Sequence, residues 1–277
     1  ILIAILINTI ISIPGFIYAT DILMLMGASA ESAAHGTAFT RIMMGSSIFI
    51  MLLFLINGIF RGAGNAAIAM KSLWLANLAN IILCPVFING FGPVPAFGLT
   101  GAAMATTMGR GLGVCYQLYY LFDGSGYLKM KLAYLKPQWE QIWALLKISG
   151  PGVLQFVIAS CSWIFLAQLV ATTGGDEGSA GYQTALRLFM FFMLPAWGLS
   201  NAASTLVGQN LGAKQIERAE LSVIKTAKYN VVFMIFISVI SIPGARIMVS
   251  FFTNDPGVPA VAVQALRIIG TGYLFYG

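Results

Sequence analysis

Apolar residues run along this chain in long blocks, separated by short polar or glycine-rich breaks. Eight blocks are long enough to cross a bilayer as helices, at roughly 1–20, 38–60, 68–90, 97–122, 145–172, 180–207, 226–252 and 258–277. A helix needs about 20 apolar residues to span a hydrocarbon core of ~30 Å. Membrane β-strands would instead alternate apolar and polar positions over about ten residues, and no such pattern occurs. The breaks hold residues that stop helices: Gly62-Ala63-Gly64-Asn65, Gly90-Phe91-Gly92-Pro93-Val94-Pro95 and Gly174-Gly175-Asp176-Glu177-Gly178.

Composition sharpens this into a class. Hydrophobic residues fill 58% of the 277 positions, charged residues 9%, and the mean hydropathy is +0.86. Soluble domains carry about 25% charged residues, so the chain lacks the charge to cover a water-facing surface. The expected fold class is an all-α polytopic membrane protein. Ten of the fifteen Lys and Arg sit around alternate connections: Arg61 and Lys71, then Lys129, Lys131, Lys136 and Lys147, then Lys214, Arg218, Lys225 and Lys228. The opposite connections hold Asp21 and Glu31, no charge between 88 and 97, Asp176 with Glu177, and Arg246 with Asp255. The positive-inside rule makes the first set cytoplasmic. Residue 1 then lies on the cytoplasmic side of a cell inner (plasma) membrane. The net charge of +6 is explained by these connections and calls for no nucleic acid.

The chemistry of classical enzymes is missing. Cys84, Cys115 and Cys161 fall in apolar blocks without a Cys-x-x-Cys pair, and His35 is the lone histidine. No disulfide framework, zinc site or cofactor is expected. No paired carboxylates or His-Glu-x-x-His run points to a membrane enzyme.

The chain repeats itself. Ile11-Ser12-Ile13-Pro14-Gly15 returns as Ile240-Ser241-Ile242-Pro243-Gly244 at an offset of 229, and Arg41-Ile42 returns as Arg267-Ile268 at an offset of 226. Both copies lie in spans of the same predicted direction, which marks a parallel duplication of a helical bundle. If spans one and seven correspond, each bundle holds six helices and a whole protein twelve. The chain then reads as an internal fragment of eight helices. Its expected organisation is 1–122 in the first bundle, 123–142 as a cytoplasmic linker, and 143–277 in the second. Residues 213–228, with Lys214, Arg218, Leu221, Lys225 and Lys228, read either as a surface-lying helix or as a helical extension of the next span.

Four segments resemble the multidrug and toxic compound extrusion (MATE) family: Phe60-Arg61-Gly62-Ala63-Gly64-Asn65, Asn77-Leu78-Ala79-Asn80-Ile81-Ile82-Leu83, Phe97-Gly98-Leu99-Thr100-Gly101-Ala102-Ala103-Met104-Ala105-Thr106, and Ala203-Ser204-Thr205-Leu206-Val207-Gly208-Gln209-Asn210-Leu211-Gly212-Ala213. The resemblance runs from the family's third helix to its tenth. It implies two pseudo-symmetric six-helix lobes and a secondary antiporter that exports organic, often cationic, compounds in exchange for H+ or Na+. A lipid-linked oligosaccharide flippase of the same superfamily is the alternative, as is a homologue that has lost coupling. A small-molecule substrate, the lipid bilayer as surroundings and a monomeric state go with the leading reading.

No Asp or Glu lies well inside any predicted span, although a buried carboxylate is the usual ion handle of a transporter. The resemblance places an Asp four residues after Asn80, where this chain has Cys84. It places a Glu in the stretch Val157-Ile158-Ala159-Ser160-Cys161, which has none. The family's tenth-helix Asp falls at or beyond Gly277. The remaining pathway candidates are Asn77, Asn80, Cys84, Tyr182, Gln183 and Arg187. Gln183 and Arg187 are four apart and share a helix face, as do Asn80 and Cys84. Gly101, Ala105, Gly109 and Gly113, also four apart, form a ridge for close helix packing. Pro14, Pro85, Pro151, Pro195 and Pro243 mark helices expected to bend.

Overall fold

The computed structural model describes residues 1–25, 30–123, 130, 136–252 and 257–276, without the side chains of Ser32, Asp176 and Leu274. The chain divides into two compact units, Ile1–Gln138 and Trp139–Gly277. Among the described residues nearly everything is helical.

The first unit begins with α1 (Leu2–Ile17) and α2 (Ala19–Leu25), which meet at a bend of 80°. Pro14 lies one turn before the bend, and the Tyr18 N–H closes onto the Pro14 carbonyl at 2.8 Å. The predicted span 1–20 is therefore a broken pair. Next come α3 (Ala30–Gly45) and α4 (Ser47–Gly62), whose axes differ by 41°. The predicted span 38–60 started too late and missed this break. Gly45-Ser46-Ser47 are weak helix formers inside an apolar run, which hydropathy does not register. The Ser46 hydroxyl donates to the Ile42 carbonyl at 2.6 Å and shares a 2.7 Å hydrogen bond with the Thr107 hydroxyl.

The remaining helices of this unit are α5 (Ala66–Asn89) and α6 (Gly98–Asp123). Gly64, at φ 81°, turns the chain between α4 and α5. There the Ala63 N–H bonds the Ile59 carbonyl and the Asn65 N–H bonds the Phe60 carbonyl at 2.8 Å. Asn65 then caps α5 by accepting from the Ile68 N–H at 3.3 Å. The small ridge of α6 packs directly on the α5 backbone. A Cβ on Gly101 would fall onto the Phe87 carbonyl, one on Gly109 would lie 2.6 Å from the Ala76 carbonyl oxygen, and one on Gly113 would lie 3.0 Å from that of Ser72.

The second unit opens with a helical run, Trp139–Gly212, interrupted at Gly175 (φ 58°, ψ −151°). The interruption separates α7 (Trp139–Gly175) from α8 (Glu177–Gly212). After them come α9 (Ile216–Ser250), α10 (Val258–Gly272) and a 3₁₀ turn, Tyr273–Tyr276. Residues 124–129 and 131–135 of the predicted linker lie outside the described residues, and α7 starts at Trp139, inside the predicted linker end. From Ile216 onward, the segment expected as either surface helix or extension is the first part of continuous α9. The surface-lying alternative therefore falls. Helices α7, α8 and α9 have 37, 36 and 35 residues, far more than the core thickness needs. Hydropathy marks only the part in lipid, which is why the predicted spans were shorter.

Ala185, Leu188, Ala245, Val249, Ala262 and Leu266 form one core of this unit. Phe189, Met193, Met234 and Tyr273 form another, with Phe189 and Tyr273 stacked at 5.8 Å. Helix α7 contributes Trp163 against Phe189 at 5.8 Å, and no residue of its most apolar stretch is fully buried. A helix this apolar with a bare surface is matched to lipid rather than water.

Helices α5, α7, α8 and α9 are each long and apolar enough to span, and the two bent pairs bring the number to six. Helices α6 and α10 occupy the other two predicted blocks. The internal repeat has a structural counterpart. In the first unit the Ser12 hydroxyl of α1 donates to the Met44 carbonyl at 2.7 Å. In the second, the Ser238 hydroxyl of α9 donates to the Gly270 carbonyl at 2.7 Å, with the Ser241 hydroxyl beside the same glycine. The sequence registers pair Ser12 with Ser241 and Met44 with Gly270, so the same two helices touch at the same level in each unit.

Candidate functional site

Helix α5 carries three of the expected residues, and the structure divides them. Asn80 is half-buried and faces α6, where its Nδ2 donates to the Thr106 hydroxyl at 3.1 Å. Thr106 in turn donates to the Ala102 carbonyl at 2.8 Å. Gly109 permits this approach, since a Cβ there would lie 3.2 Å from the Asn80 backbone nitrogen. Cys84, one turn further on, is half-buried with a free thiol. Asn77 instead lies on an exposed face with Trp74 and Ile81.

Helix α8 carries the other three. Gln183 and Arg187 are both exposed, one turn apart, on an outer surface continued by Met190, Phe191 and Leu194. Tyr182 turns the other way and is 7% exposed. Its hydroxyl has no hydrogen-bond partner among the described residues. It is thus a core residue of the second unit, separate from the Gln183–Arg187 face.

A fully buried polar cluster was not singled out in the sequence. Asn57 of α4, Ser72 of α5 and Gln117 of α6 each have 0% exposure. The Asn57 Oδ1 accepts from the Ser72 hydroxyl at 3.1 Å and from the Gln117 Nε2 at 2.7 Å. Gln117 also reaches the Ser72 hydroxyl at 2.9 Å and the Leu53 carbonyl at 3.3 Å. The Asn57 Nδ2 and the Gln117 Oε1 have no partner among the described residues. Three helices are tied together through neutral groups, a bond type available to membrane helices where apolar packing gives no net hydrophobic gain. The one signal in the sequence was an amide inside each of two apolar runs. Their partners lie 15 to 60 residues apart and leave no local pattern.

Chemically, the Asn80–Thr106 pair offers neutral donors and acceptors, and Arg187 offers a cation beside apolar side chains. Among the described residues no group of three or more His, Cys, Asp or Glu is arranged to hold a metal ion.

The MatE family model matches residues 1–86 and 151–277. The "Probable multidrug resistance protein NorM" of Thermotoga maritima is 24% identical over 259 residues, covering 92% of this chain and 55% of that protein. The "Multidrug export protein MepA" of Staphylococcus saprophyticus is 25% identical over 269 residues, covering 94% and 58%. The chain thus spans somewhat more than half the length of these relatives. Among solved structures, a MATE protein in the bent conformation matches with a TM-score of 0.84 at 24% identity, covering 99% of this chain and 60% of the other. A MOP superfamily transporter from Pyrococcus furiosus matches with a TM-score of 0.86 at the same identity and coverage. The fold is that of the MATE transporters, and the chain belongs to the MatE family.

Proposed function

We propose that the chain is the working middle of a secondary antiporter that exports organic, often cationic and amphiphilic, compounds in exchange for H+ or Na+. The observation that carries this reading is the family match over both units, residues 1–86 and 151–277. The names of the relatives, multidrug resistance and multidrug export proteins, point to the same substrate class. The exposed face of α8 supports it, because Met190, Phe191 and Leu194 beside Gln183 give apolar area with a polar handle. Flexible, sulfur- and aromatic-rich surfaces repack around varied ligands. Prolines inside α1, α5, α7, α8 and α9 suit helices that bend as a transporter alternates between openings.

The flippase reading asks for clustered cations around a pyrophosphate. Helix α8 carries one cation, Arg187, with Met190, Phe191 and Leu194 on its exposed face, so the exporter is preferred. The test is ethidium movement by the full-length protein in everted vesicles, first under a proton gradient and then under a sodium gradient. Uptake driven by one of the two is expected. No gradient-dependent uptake with either ion would remove the exporter reading for this substrate class.

A further inference from the structure

An open groove of about 900 Å³ runs along α9 and α10 in the second unit. Its lining includes Arg246 and Ser250 of α9, and Val263, Gln264, Arg267 and Ile268 of α10. Two guanidinium groups border the same groove, and no Asp or Glu is among its described lining residues. Arg267 is held in place, its Nε donating to the Ile242 carbonyl at 3.2 Å. Its two terminal nitrogens have no hydrogen-bond partner among the described residues.

Depth narrows the choice of anion. Arg246 lies four residues before the end of α9 at Ser250, and Arg267 lies nine residues after the start of α10 at Val258. At 1.5 Å per residue these are about 6 Å and about 14 Å from the helix ends. Helix α9 has 35 residues, about 52 Å at that rise, against ~40–45 Å for a bilayer including its headgroups. Its last turns therefore reach the headgroup layer. Arg246 lies about one turn and Arg267 about two and a half turns below, and a long Arg side chain extends its charge toward that level. Arginine pairs bidentately with phosphate, a group that headgroups on either side of the bilayer present. Val263 and Ile268 give the same groove an apolar wall where acyl chains begin.

We propose that this groove is a binding site for an anionic phospholipid. The headgroup phosphate lies between Arg246 and Arg267, the Gln264 amide donates a further hydrogen bond, and the lipid's upper acyl segments lie on Val263 and Ile268.

The test uses the full-length protein equilibrated in bilayers of phosphatidylcholine with a minor share of phosphatidylglycerol. The lipids retained after detergent extraction are then counted by native mass spectrometry. The wild type is expected to retain phosphatidylglycerol several-fold above its share of the bilayer. Arg246→Gln with Arg267→Gln is expected to bring retention down to the bulk ratio, while the distant Lys225→Gln leaves enrichment intact. If the double Gln variant does not fold, Arg246→Lys with Arg267→Lys keeps the charge, loses the bidentate geometry and is expected to lower enrichment. No enrichment in the wild type, enrichment that survives in the Arg variants, or an equal loss in Lys225→Gln would overturn the proposal. Complete displacement by excess inorganic phosphate would identify a free-anion site and overturn the lipid as occupant.

Discussion

Replacing Gly109 by Ala adds one methyl group where α6 lies on the α5 backbone. The new Cβ would sit 2.6 Å from the Ala76 carbonyl oxygen, 3.2 Å from the Asn80 nitrogen and 3.3 Å from the Asn80 Cβ. These are backbone atoms and a rigid Cβ, so no flexible side-chain end is there to swing aside. Ordinary contact begins near 3.4 Å, and the helices must part by about 0.8 Å to restore it. Overpacking of this kind costs about 1–3 kcal/mol, against about 1 kcal/mol gained from the better helix propensity of Ala. The expected net loss is up to about 2 kcal/mol, which leaves Gly109→Ala about 1–3 kcal/mol below a Gly→Ala change that meets no clash. The same separation stretches the 3.1 Å bond from Asn80 to Thr106 and opens the α5–α6 seam near Cys84. Gly111→Ala is the matched control on the same helix, because its nearest atoms are those of the Phe49 ring at 3.8 Å. Equilibrium unfolding of full-length protein in mixed micelles measures the difference. Maleimide labelling of Cys84, with the exposed Cys115 and Cys161 replaced, reads the seam. Equal stability of the two variants, or unchanged Cys84 labelling in Gly109→Ala, would refute the ridge-on-backbone account.

Lys214 has a left-handed φ of 59° at the α8–α9 turn, where the α4–α5 turn has Gly64 at 81°. Lys214→Gly should stabilise the protein by about 1 kcal/mol and Gly64→Ala destabilise it by about as much, both checked by the same unfolding assay. Asn57→Leu breaks the buried cluster and leaves Gln117 without its shortest bond, so it should cost about 1–3 kcal/mol. Asn57→Leu paired with Gln117→Leu should cost less than the sum of the single changes, as measured by a double-mutant cycle. Arg187→Ala is expected to slow transport more than Arg41→Ala. Equal rates in the ethidium assay would place Arg187 among structural residues.

Much of the architecture was legible from the chain. The apolar blocks located the helices, because lipid demands about 20 apolar residues for each crossing. The four-residue spacing of Gly101, Ala105, Gly109 and Gly113 announced the α5–α6 seam, since period alone puts these positions on one face. The repeat of Ile-Ser-Ile-Pro-Gly foretold that two helix pairs touch alike in the two units. Breaks within blocks were hidden: Ser46 and Tyr18 interrupt helices in sequence that stays apolar on both sides. Helix ends beyond the lipid were hidden for the opposite reason, as at Ile216, where a polar stretch remains helical. Among the candidate residues, Gln183 and Arg187 shared an exposed face as their spacing required. Tyr182 turned inward because the residue next to an outward position on a helix points about 100° away. The Asn57–Ser72–Gln117 cluster depends on contacts among three helices, which no local pattern encodes.

The central claim is exchange, and it is tested most directly in reverse. Full-length protein is reconstituted into vesicles with no ion gradient, and a gradient of an amphiphilic cation is imposed. A pH-sensitive dye and a sodium-sensitive dye inside the vesicles follow the counter-ion. The account predicts that substrate moving one way drives H+ or Na+ the other way, and that protein-free vesicles show neither. Substrate flux without opposing movement of either ion would contradict antiport, and absence of substrate flux would contradict transport of this class altogether.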